Sequence, residues 1–470
     1  MTINSEERDD SAFYGNMPQR SGDMELEQRG MAPVPEANRF GSPFRMFTLW
    51  FAPNIQLSAV FVGTLGAVFG LGFVTGTIAI VAGTVIGALP VAYLSTWGPK
   101  TGTAQIPLAR TSFGKSIVLP GFIQWGCSIA WDGIIGIFGA EALQVLFHIP
   151  FWAGAVIVLG LVAFASIYGY EVVHQLEKWL TVVLGIMFII FTVKLAPLGQ
   201  WTTGNTVHGA TLIGSFILFS TIALSESVSW GAYASDYSRY LKPGTSSRAI
   251  FWWSLLGLVG SYCWMEIIGL GGAKLLMNDQ TAGGVRSVMG GGFLGAMALV
   301  AIGLGAVGAN ALNDYTGSLA FQAMGLKIHR PIVAAFSDAL ALLLILWLHT
   351  GNLETKFENI VLFLGYWVPP FIAIQIIDWR RSHGKPDVRN ILNLRTLPSG
   401  WRALVAFVAG FCISIPFMDN SLVVGPVATA LKGGDLAFYV GFVAAGLIYW
   451  ALLRFRPNSP VMEAVEVSTS

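Results

Sequence analysis

The sequence predicts an all-α polytopic membrane protein with twelve transmembrane helices. Of its 470 residues, 54% are hydrophobic and 11% are charged, whereas soluble domains carry about 25% charged residues. The mean hydropathy is +0.64, and it reflects apolar runs long enough to cross a bilayer. We therefore expect lipid to surround the chain. The net charge of +1 gives no indication of a nucleic-acid partner, and we expect none.

Twelve apolar runs can be placed, of roughly the 18 to 25 residues that are needed to cross a hydrocarbon core of about 30 Å. They cover residues 46–70, 72–95, 118–146, 152–170, 177–197, 210–232, 249–274, 289–312, 331–349, 357–377, 402–418 and 434–454. With an odd number of spans, the basic residues would no longer be concentrated on one side of the membrane.

The basic residues indicate the orientation. With the N-terminus inside, five fall on the outer side and 22 of the 27 lie on the cytoplasmic side. The five are Lys194, Lys274, Arg286, Lys356 and Lys432. Cytoplasmic loops carry an excess of Lys and Arg, so the sequence predicts a multi-pass protein of the plasma (inner) membrane with both termini in the cytoplasm.

The two ends of the chain are polar. Residues 1–43 are rich in Glu, Arg, Gly and Pro and lack the layout of a cleaved signal peptide. We predict a disordered cytoplasmic tail there and a second one at 457–470. Between them we predict a core at 44–380 with spans 1–10, a cytoplasmic loop at 381–401, and two peripheral spans at 402–456.

Reactive side chains are scarce in the sequence. Cys127, Cys263 and Cys412 lie inside apolar runs, where cysteine usually behaves as a small buried hydrophobic residue. No metal-ligand spacing or nucleophile motif occurs, and the spans lack paired His/Asp or Cys/His sets. We therefore expect no catalytic residue, no metal and no cofactor, and the chain is not predicted to be an enzyme.

Two spans carry signs of interruption. In span 1, Pro53 has no N–H and clashes with the preceding turn, which frees backbone carbonyls beside Asn54 and Gln56. A simple proline kink is the alternative for this span alone. Span 6 places Ser225-Glu-Ser-Val-Ser-Trp-Gly231 at membrane depth, where polar groups survive only if they are buried in protein or line a wet cavity. These features indicate a transport pathway.

Interrupted helices five spans apart are typical of transporters built from inverted repeats. The first helix of each repeat then lies at the centre and faces the ligand and the coupling ion near the midplane. The sequence thus favours a five-plus-five inverted-repeat core, of the leucine-transporter type, with spans 11 and 12 outside it. Channels usually repeat pore signatures and sensors normally append a soluble domain, and the sequence has neither feature.

Three segments resemble one family of transporters. They are the loop Gly98-Pro-Lys-Thr-Gly-Thr-Ala-Gln-Ile-Pro-Leu-Ala-Arg-Thr-Ser-Phe-Gly114, the segment Ala234-Ser-Asp-Tyr-Ser-Arg-Tyr240, and the segment Asn310-Ala-Leu-Asn-Asp-Tyr-Thr-Gly-Ser-Leu319. In this order they resemble the nucleobase:cation symporter-1 family, in its purine–cytosine permease branch. The resemblance implies a secondary transporter that carries nucleobases or similar flat N-heterocycles together with Na⁺ or H⁺.

The resemblance also implies ligand-binding positions. Trp131 matches a tryptophan that stacks on ligand, Gln56 matches a ligand-contacting glutamine, and Trp230 is the expected partner of Trp131. Stacking of a flat ring on an aromatic side chain contributes about 1–3 kcal/mol. The relatives often hold a glutamine where this chain has Ile135. The expected substrate-binding set is therefore Trp131, Gln56, Trp230, Asn313, Gln124, Ser128, Ser227 and Asn54.

The coupling ion is less clear from the resemblance. Ala52 and Ile55 match positions whose carbonyls bind Na⁺, but the hydroxyl positions expected on span 8 are Val307 and Gly308 here. Because hard cations need oxygen ligands, H⁺ is favoured over Na⁺.

Two carboxylates, Glu226 and Asp132, are candidate proton carriers. A permanent ion pair or a capped helix end is the alternative for Glu226, and a structural hydrogen bond for Asp132. Asp236 and Arg239 are expected to form a cytoplasmic gate or anchor, with helix-end capping as the alternative.

The leading hypothesis is a monomeric cation-coupled importer of cytosine, a purine, an allantoin-like compound or a vitamin-type pyrimidine. A transporter of the same fold for amino acids or amines is the alternative, and a non-transporting membrane sensor is a weaker one. The two tryptophans favour a flat ring over a carboxylate or ammonium ligand.

Overall fold

The structure is a computed structural model that describes residues 31–168, 170–277, 281–326, 328, 330–388 and 390–454. This part of the chain is helical. Its helices are α1 Arg45–Phe51, α2 Leu57–Val68, α3 Phe73–Ser95, α4 Gly98–Thr101, α5 Gln105–Phe113, α6 Val118–Phe147, α7 Phe151–Tyr168, α8 Tyr170–Leu195, α9 Gly209–Ser229, α10 Ala234–Ser238, α11 Ser247–Leu276, α12 Thr281–Val288, α13 Gly292–Ala323, α14 Arg330–Leu348, α15 Leu353–Gly365, α16 Val368–Arg381, α17 Trp401–Ser414, α18 Pro426–Ala430 and α19 Ala437–Arg454.

Membrane-spanning character is clear for most of the long helices. Seven helical segments of the described chain are long and apolar enough to cross a bilayer, and α1 with α2 forms an eighth that is bent. Four shorter apolar segments lie at Phe151–Ala165, Val182–Leu195, Ile332–Leu348 and Trp401–Phe417. The molecule is therefore an all-helical membrane protein.

The first span is broken at Pro53, as the sequence predicts. Helix α1 ends at Phe51, a 3-10 turn covers Ala52–Asn54, and α2 continues at an angle of 62° to the first half. The Asn54 side-chain amide donates to the Trp50 carbonyl at 2.7 Å. This bond satisfies a carbonyl freed near the proline, which lacks the donor of a regular helix.

The sixth span is interrupted close to its end. Helix α9 stops at Ser229, Trp230–Ala232 form a 3-10 turn, and α10 follows as a helix of five residues. Gly231 lies in this turn because a side chain there would approach Ile372 to 2.5 Å. The interruption is therefore a 3-10 turn at the position where the sequence predicts a break. This turn packs beside the tenth span.

A third interruption was missed by the sequence analysis. The run 357–377 is divided between α15 and α16, with Tyr366 and Trp367 between them and two prolines at the start of α16. Proline is tolerated in the first turn of a helix, so Pro369 and Pro370 favour a restart at Val368. The hydropathy of the run gives no sign of this interruption.

Helix α13 is longer than the apolar run that predicts it. The run ends at residue 312, whereas the helix continues to Ala323. Its last three turns contain Asn313, Asp314 and Thr316, which are buried inside the protein. Hydropathy treats these polar residues as the end of a span, but they face neighbouring helices.

The helices around the site fall into two groups. Helix α2 packs on α11, and α3 packs on α9 and α11, which joins spans 1, 2, 6 and 7. Helix α6 packs along α13, and both contact α7. Helices α17 and α19 pack on each other and on α16. We call the end of the molecule where α1 begins the N-terminal face, and the opposite end the far face.

Residues 31–43 differ from the predicted disordered tail. Val34 is fully buried and its amide donates to the Gly102 carbonyl at 2.8 Å, while the Phe40 amide donates to the Tyr240 carbonyl at 2.7 Å. The Arg39 guanidinium donates to the carbonyls of Val34 and Pro99. These residues therefore pack on the N-terminal face. The rest of that tail and the predicted tail at 457–470 lie outside the described residues.

Candidate functional site

The interruption of the first span, the middle of α6, the turn after α9 and the polar part of α13 supply the candidate site. Most of the side chains predicted to bind ligand lie on these four segments. They include Asn54, Gln56, Gln124, Trp131, Trp230 and Asn313, each of which is 9% exposed or less. The interrupted helices thus carry buried polar and aromatic groups at the depth where the sequence predicts a ligand.

Trp230 is held in place by its neighbours. Its indole Nε1 donates to Asn54 Oδ1 at 3.0 Å and to the Tyr262 hydroxyl at 2.8 Å. The Trp50 ring meets it edge-on at 5.4 Å, and the Tyr233 ring does so at 5.0 Å. Asn54 therefore orients Trp230 in this structure, and the orientation of the indole depends on spans 1 and 7.

Trp131 has a different environment. It lies near the midpoint of α6 and is buried among apolar side chains. Within the described residues, its indole forms no ring stacking contact with another aromatic side chain. The ring faces of Trp131 are thus not taken up by aromatic partners in this part of the chain.

Three buried amide side chains keep unused hydrogen-bonding groups. In the described structure, Gln124 Nε2, Asn313 Nδ2 and Gln56 Oε1 have no hydrogen-bond partner of normal geometry. The Tyr233 hydroxyl donates to Asn313 Oδ1 at 3.4 Å and lies beside Gln124. Buried polar groups are normally satisfied, so the two amide donors beside Tyr233, and the Gln56 acceptor on the first span, are suited to the edge of a polar ring.

Two predicted ligand-binding serines face helix contacts instead. Ser128 Oγ donates to the Trp125 carbonyl at 2.7 Å and abuts Gly317 of α13, where an added side chain would come within 2.2 Å. Ser227 Oγ donates to carbonyls of its own helix and faces Gly87 of α3. Both hydroxyls therefore serve close helix packing in the structure.

The two predicted proton carriers lie in two separate clusters of acidic side chains. Asp132 is fully buried, and neither carboxylate oxygen has a hydrogen bond of normal geometry in the described residues. It lies near Asn313, Asp314 and Asp338, the last on α14. Glu226 instead lies near Glu266 of α11. Asp338 was not singled out from the sequence because its helix is apolar elsewhere.

The predicted sodium positions supply few oxygens. The Ala52 carbonyl accepts from the Ile55 amide at 3.1 Å, within the 3-10 turn that packs against α13. Val307 and Gly308 lie on that helix and carry no side-chain oxygen. Backbone carbonyls would therefore have to provide most ligands of a hard cation.

The N-terminal face is closed by a polar network around α10. The Asp236 carboxylate accepts from the backbone amide of Gln105 and from the Thr316 hydroxyl, both at 2.7 Å. Arg239 donates to the Tyr315 hydroxyl at 2.5 Å, and its guanidinium lies over the Tyr240 ring. Asp236 and Arg239 thus connect α10 to α5 and to α13.

The carboxyl of Asp236 lies just beyond the sixth span and is 1% exposed. Burial raises its pKa to about 6, against the opposing effects of its two hydrogen bonds and of Arg239. The network therefore contains a group that titrates near neutral pH.

The far face contains a cavity of about 260 Å³. Its lining includes Phe61, Glu141, Leu276, His349 and Glu354. Phe61 also packs against Phe138 and Phe357, with ring centroids 5.3 and 4.9 Å apart. These three buried rings, from α2, α6 and α15, form an apolar layer at this end.

Several site residues were missed in the sequence. Tyr233 and Tyr262 contact the predicted ligand residues, and Tyr315 contacts Arg239. Tyrosine is counted among the hydrophobic residues of the composition, which hides its hydroxyl. A search for hydroxyl-bearing aromatic residues within the spans would have found them.

Comparisons with known proteins place the chain in a family. The chain matches, over residues 33–441, the family described as a permease for cytosine/purines, uracil, thiamine and allantoin. The putative purine-cytosine permease YxlA of Bacillus subtilis is 26% identical over 450 residues, which cover 92% of this chain and 97% of that protein. The purine-cytosine permease fcyB of Emericella nidulans is 28% identical over 467 residues, which cover 94% and 91% respectively.

Solved structures show the same fold. The inward-facing conformation of Mhp1 matches with a TM-score of 0.71 at 19% identity, covering 92% of this chain and 94% of that chain. Mhp1 with bromovinylhydantoin bound, described as a nucleobase-cation-symport-1 family transporter, matches with a TM-score of 0.70 at 19% identity, covering 92% and 96%.

The fold and the buried site define a helical membrane transporter, which is not an enzyme. The family match extends over most of the chain, and the relatives are covered almost completely. The chain belongs to the nucleobase:cation symporter-1 family, in its purine–cytosine permease branch, which confirms the sequence resemblance.

Proposed function

We propose that this protein is a secondary active importer of a nucleobase or a related planar N-heterocycle. Its substrate would be cytosine, a purine, an allantoin-like compound or a vitamin-type pyrimidine. The observation that carries the proposal is the set of unused amide groups on Gln124, Asn313 and Gln56, together with Trp131 and Trp230. Indoles favour a flat ring, and the amides suit its donor and acceptor edge.

The relatives support this substrate class. Purine-cytosine permeases match over nearly the whole chain, and the more distant vitamin B6 transporter TPN1 of Saccharomyces cerevisiae is 22% identical over 477 residues, covering 85% of this chain and 82% of that protein. Ile135 occupies one helical turn beyond Trp131 and provides no hydrogen bond. Recognition of the ring edge therefore depends on the amide groups instead.

The proposed transporter has twelve spans, from the seven long helical segments, the bent pair and the four shorter apolar helices. Spans 1–10 form the five-plus-five core, and the protein works as a monomer in the plasma (inner) membrane. The excess of basic residues makes the N-terminal face cytoplasmic. Asp236 and Arg239 then act as a cytoplasmic gate, since their partners lie on two other helices.

H⁺ is the proposed coupling ion. Val307 and Gly308 offer no side-chain oxygen to a sodium ion, so Ala52 and Ile55 would have to bind it through backbone carbonyls. Glu226 and Asp132 are buried carboxylates at membrane depth, where ionisable groups are rare and usually functional. Either of them can exchange a proton during the transport cycle.

The test is uptake into proteoliposomes with separately imposed Na⁺ and H⁺ gradients. Labelled cytosine, adenine, hydantoin and a set of amino acids are offered one at a time and in competition. We expect accumulation of at least one ring compound driven by the H⁺ gradient. Uptake of amino acids alone would contradict the proposed substrate class, and accumulation driven only by Na⁺ would contradict the proposed ion.

A further inference from the structure

Two buried carboxylates meet between the sixth and seventh spans, one helical turn from the Trp230–Tyr262 hydrogen bond. Glu226 precedes Trp230 by four residues on α9, and Glu266 follows Tyr262 by four residues on α11. The Glu226 and Glu266 side chains are 2% and 0% exposed and lie close enough to interact electrostatically. They therefore form a compact acidic pair next to a residue of the candidate ligand site.

The pair has no cationic neighbour in the described part of the chain. Helices α2 and α3, which pack around it, contain no charged residue, and α9 contains only Glu226. Helix α11 carries Arg248 and Lys274, but these lie near its two ends. The titratable groups that face the pair are the Tyr262 hydroxyl and the Cys263 thiol.

The other helices that contact α9 hold their charges elsewhere. On α15 these are Glu354, Lys356 and Glu358, near its start at the far face, and on α16 they are Asp378, Arg380 and Arg381, near its end at the N-terminal face. No basic side chain of these helices therefore neutralises the acidic pair.

The pair and its surroundings keep unused polar atoms. Among the described residues, Glu226 Oε2 and both carboxylate oxygens of Glu266 have no hydrogen-bond partner. The hydroxyl of Thr84, a fully buried residue of α3, lies beside the Cys263 thiol, which is next to Glu266. A hydroxyl, a thiol and two carboxyls are therefore buried close together between three helices.

Two adjacent carboxylates without a cation cannot both be ionised cheaply in such a pocket, because burial and mutual repulsion disfavour the second charge. One bound proton relieves the repulsion and gives one carboxyl a hydrogen to donate to the other. A proton needs one carboxyl oxygen to bind it and a second to accept its hydrogen bond, so H⁺ fits the pair.

We propose that Glu226 and Glu266 share one proton and form the H⁺ coupling site of the transporter. This inference rests on the proposed function and narrows its coupling group to one pair. The connection to substrate is Tyr262, whose hydroxyl accepts from Trp230 and donates to the Glu226 carbonyl at 3.3 Å. A ligand that shifts Trp230 shifts Tyr262 and the backbone of Glu226, and so changes the affinity of the pair for its proton.

The proposed step moves one proton and needs no other reactant. A carboxylate of the pair takes up H⁺ from the more acidic side and becomes a neutral carboxyl, and it releases the same H⁺ on the other side. Tight packing keeps Glu266 in place, because a side chain at Gly63 of α2 would come within 1.9 Å of the Glu266 carbonyl. A movement of α9 relative to α11 would therefore change the position of the Glu226 carboxyl relative to the Glu266 carboxyl.

The transport experiment uses the full-length protein in proteoliposomes with Glu226→Gln, Glu266→Gln and the double variant. We expect each variant to lose at least tenfold in accumulation driven by a pH gradient and to keep counterflow exchange of the same ring compound. The double variant should lose no more than either single variant, since the pair acts as one site. Glu354→Gln, in the far-face cavity, is the matched control and should behave as the unmodified protein.

Unchanged accumulation in Glu266→Gln would overturn the shared site. Loss of accumulation in Asp132→Asn, with normal accumulation in both glutamate variants, would overturn it in favour of the cluster on α6.

A second measurement needs no substrate. Thermal unfolding of the purified protein is followed from pH 5 to pH 8. Because the neutral form is favoured in the buried pair, the Tm of the unmodified protein should fall as pH rises, and the double variant should have a flatter profile. Equal slopes in the two proteins would overturn the inference even if nucleobase uptake is found. A flatter slope without any nucleobase uptake would retain the proton site and reject the proposed substrate.

Discussion

The two ends of the helix bundle are closed by different chemistry. At the N-terminal face, Asp236 and Arg239 connect three helices through charge-assisted hydrogen bonds to Thr316, Tyr315 and the Gln105 amide. At the far face, three phenylalanine rings pack against one another in tilted and T-shaped pairs, and one of them lines the cavity. One end thus depends on matched donors and acceptors, and the other depends on contact area.

This difference has energetic consequences. Dispersion contacts are weak individually and tolerate small displacements, so the phenylalanine layer can loosen gradually. A buried hydrogen-bonded charge has few alternative partners, and the loss of one partner costs about 3–5 kcal/mol for a buried ion pair. We therefore expect the N-terminal face to open in a single concerted change, and the far face to open in smaller steps.

The largest expected effect concerns the ligand surface between the two ends. Trp131→Ala removes an indole that no other aromatic ring covers in the described residues, and stacking on such a ring contributes about 1–3 kcal/mol. We expect binding of the ring substrate to weaken by about tenfold to a hundredfold, measured by scintillation proximity with purified protein.

The matched control for this variant is Trp125→Ala, on the same helix, where the indole donates to Ser337. Expression and thermal stability of the Trp131 variant should stay close to those of the unmodified protein. Wild-type affinity in Trp131→Ala would show that this residue does not bind the ligand.

The next effect tests the polar end. Arg239→Lys keeps the charge but loses the planar group that reaches the Tyr315 hydroxyl and lies over the Tyr240 ring. We expect the N-terminal face to open more often, with hydrogen exchange in residues 98–110 and 234–240 faster by at least tenfold. Arg248→Lys, an exposed arginine on the same face, is the control. Unchanged protection in the Arg239 variant would show that the network does not close this end.

A smaller effect is expected from the equivalent change at the far face. Phe138→Leu preserves an apolar side chain in the layer with Phe61 and Phe357, so it should cost less than the about 3–5 kcal/mol of a buried Phe→Ala change. Hydrogen exchange in residues 353–365 should rise less than tenfold, with residues 234–240 unchanged. A larger response here than in Arg239→Lys would reverse the contrast between the two ends.

The sequence predicts the two ends unequally well. Asp236 and Arg239 were found because charged residues stand out beside a span, and the family resemblance supports the same segment. Their partners Tyr315 and Thr316 lie about 80 residues away along the chain, and no local pattern connects them. The phenylalanine layer was not predicted, since 31 phenylalanines provide no signal about which three meet.

The candidate site shows the same limit. Pro53 and the glycine at 231 predict the interruptions because their backbone chemistry is local. Ser128 and Ser227 were expected to bind ligand, but side-chain direction on a helix decides their environment, and both pack against glycines of neighbouring helices. Tyr262 and Glu266 gain their role only from the contact of α11 with α9.

The last expected effect is a pH dependence that distinguishes the ends. The pKa of Asp236 is raised to about 6 in the closed network and should return toward 3.9 when the N-terminal face opens and the carboxyl is hydrated. Acidification from pH 7 to pH 5 adds a proton mainly to the closed form. It should therefore stabilise that form by about 1.4 kcal/mol, which is roughly tenfold in the equilibrium constant.

The measurement is hydrogen exchange of residues 234–240 at the two pH values, corrected for intrinsic exchange rates, in the unmodified protein and in Asp236→Asn. Protection should rise at pH 5 only in the unmodified protein, because the amide does not titrate. At the far face, residues 57–68 carry Phe61 and contain no titratable side chain, so they report any general effect of pH. Equal pH responses at both ends would mean that the raised pKa of Asp236 does not control closure of the N-terminal face.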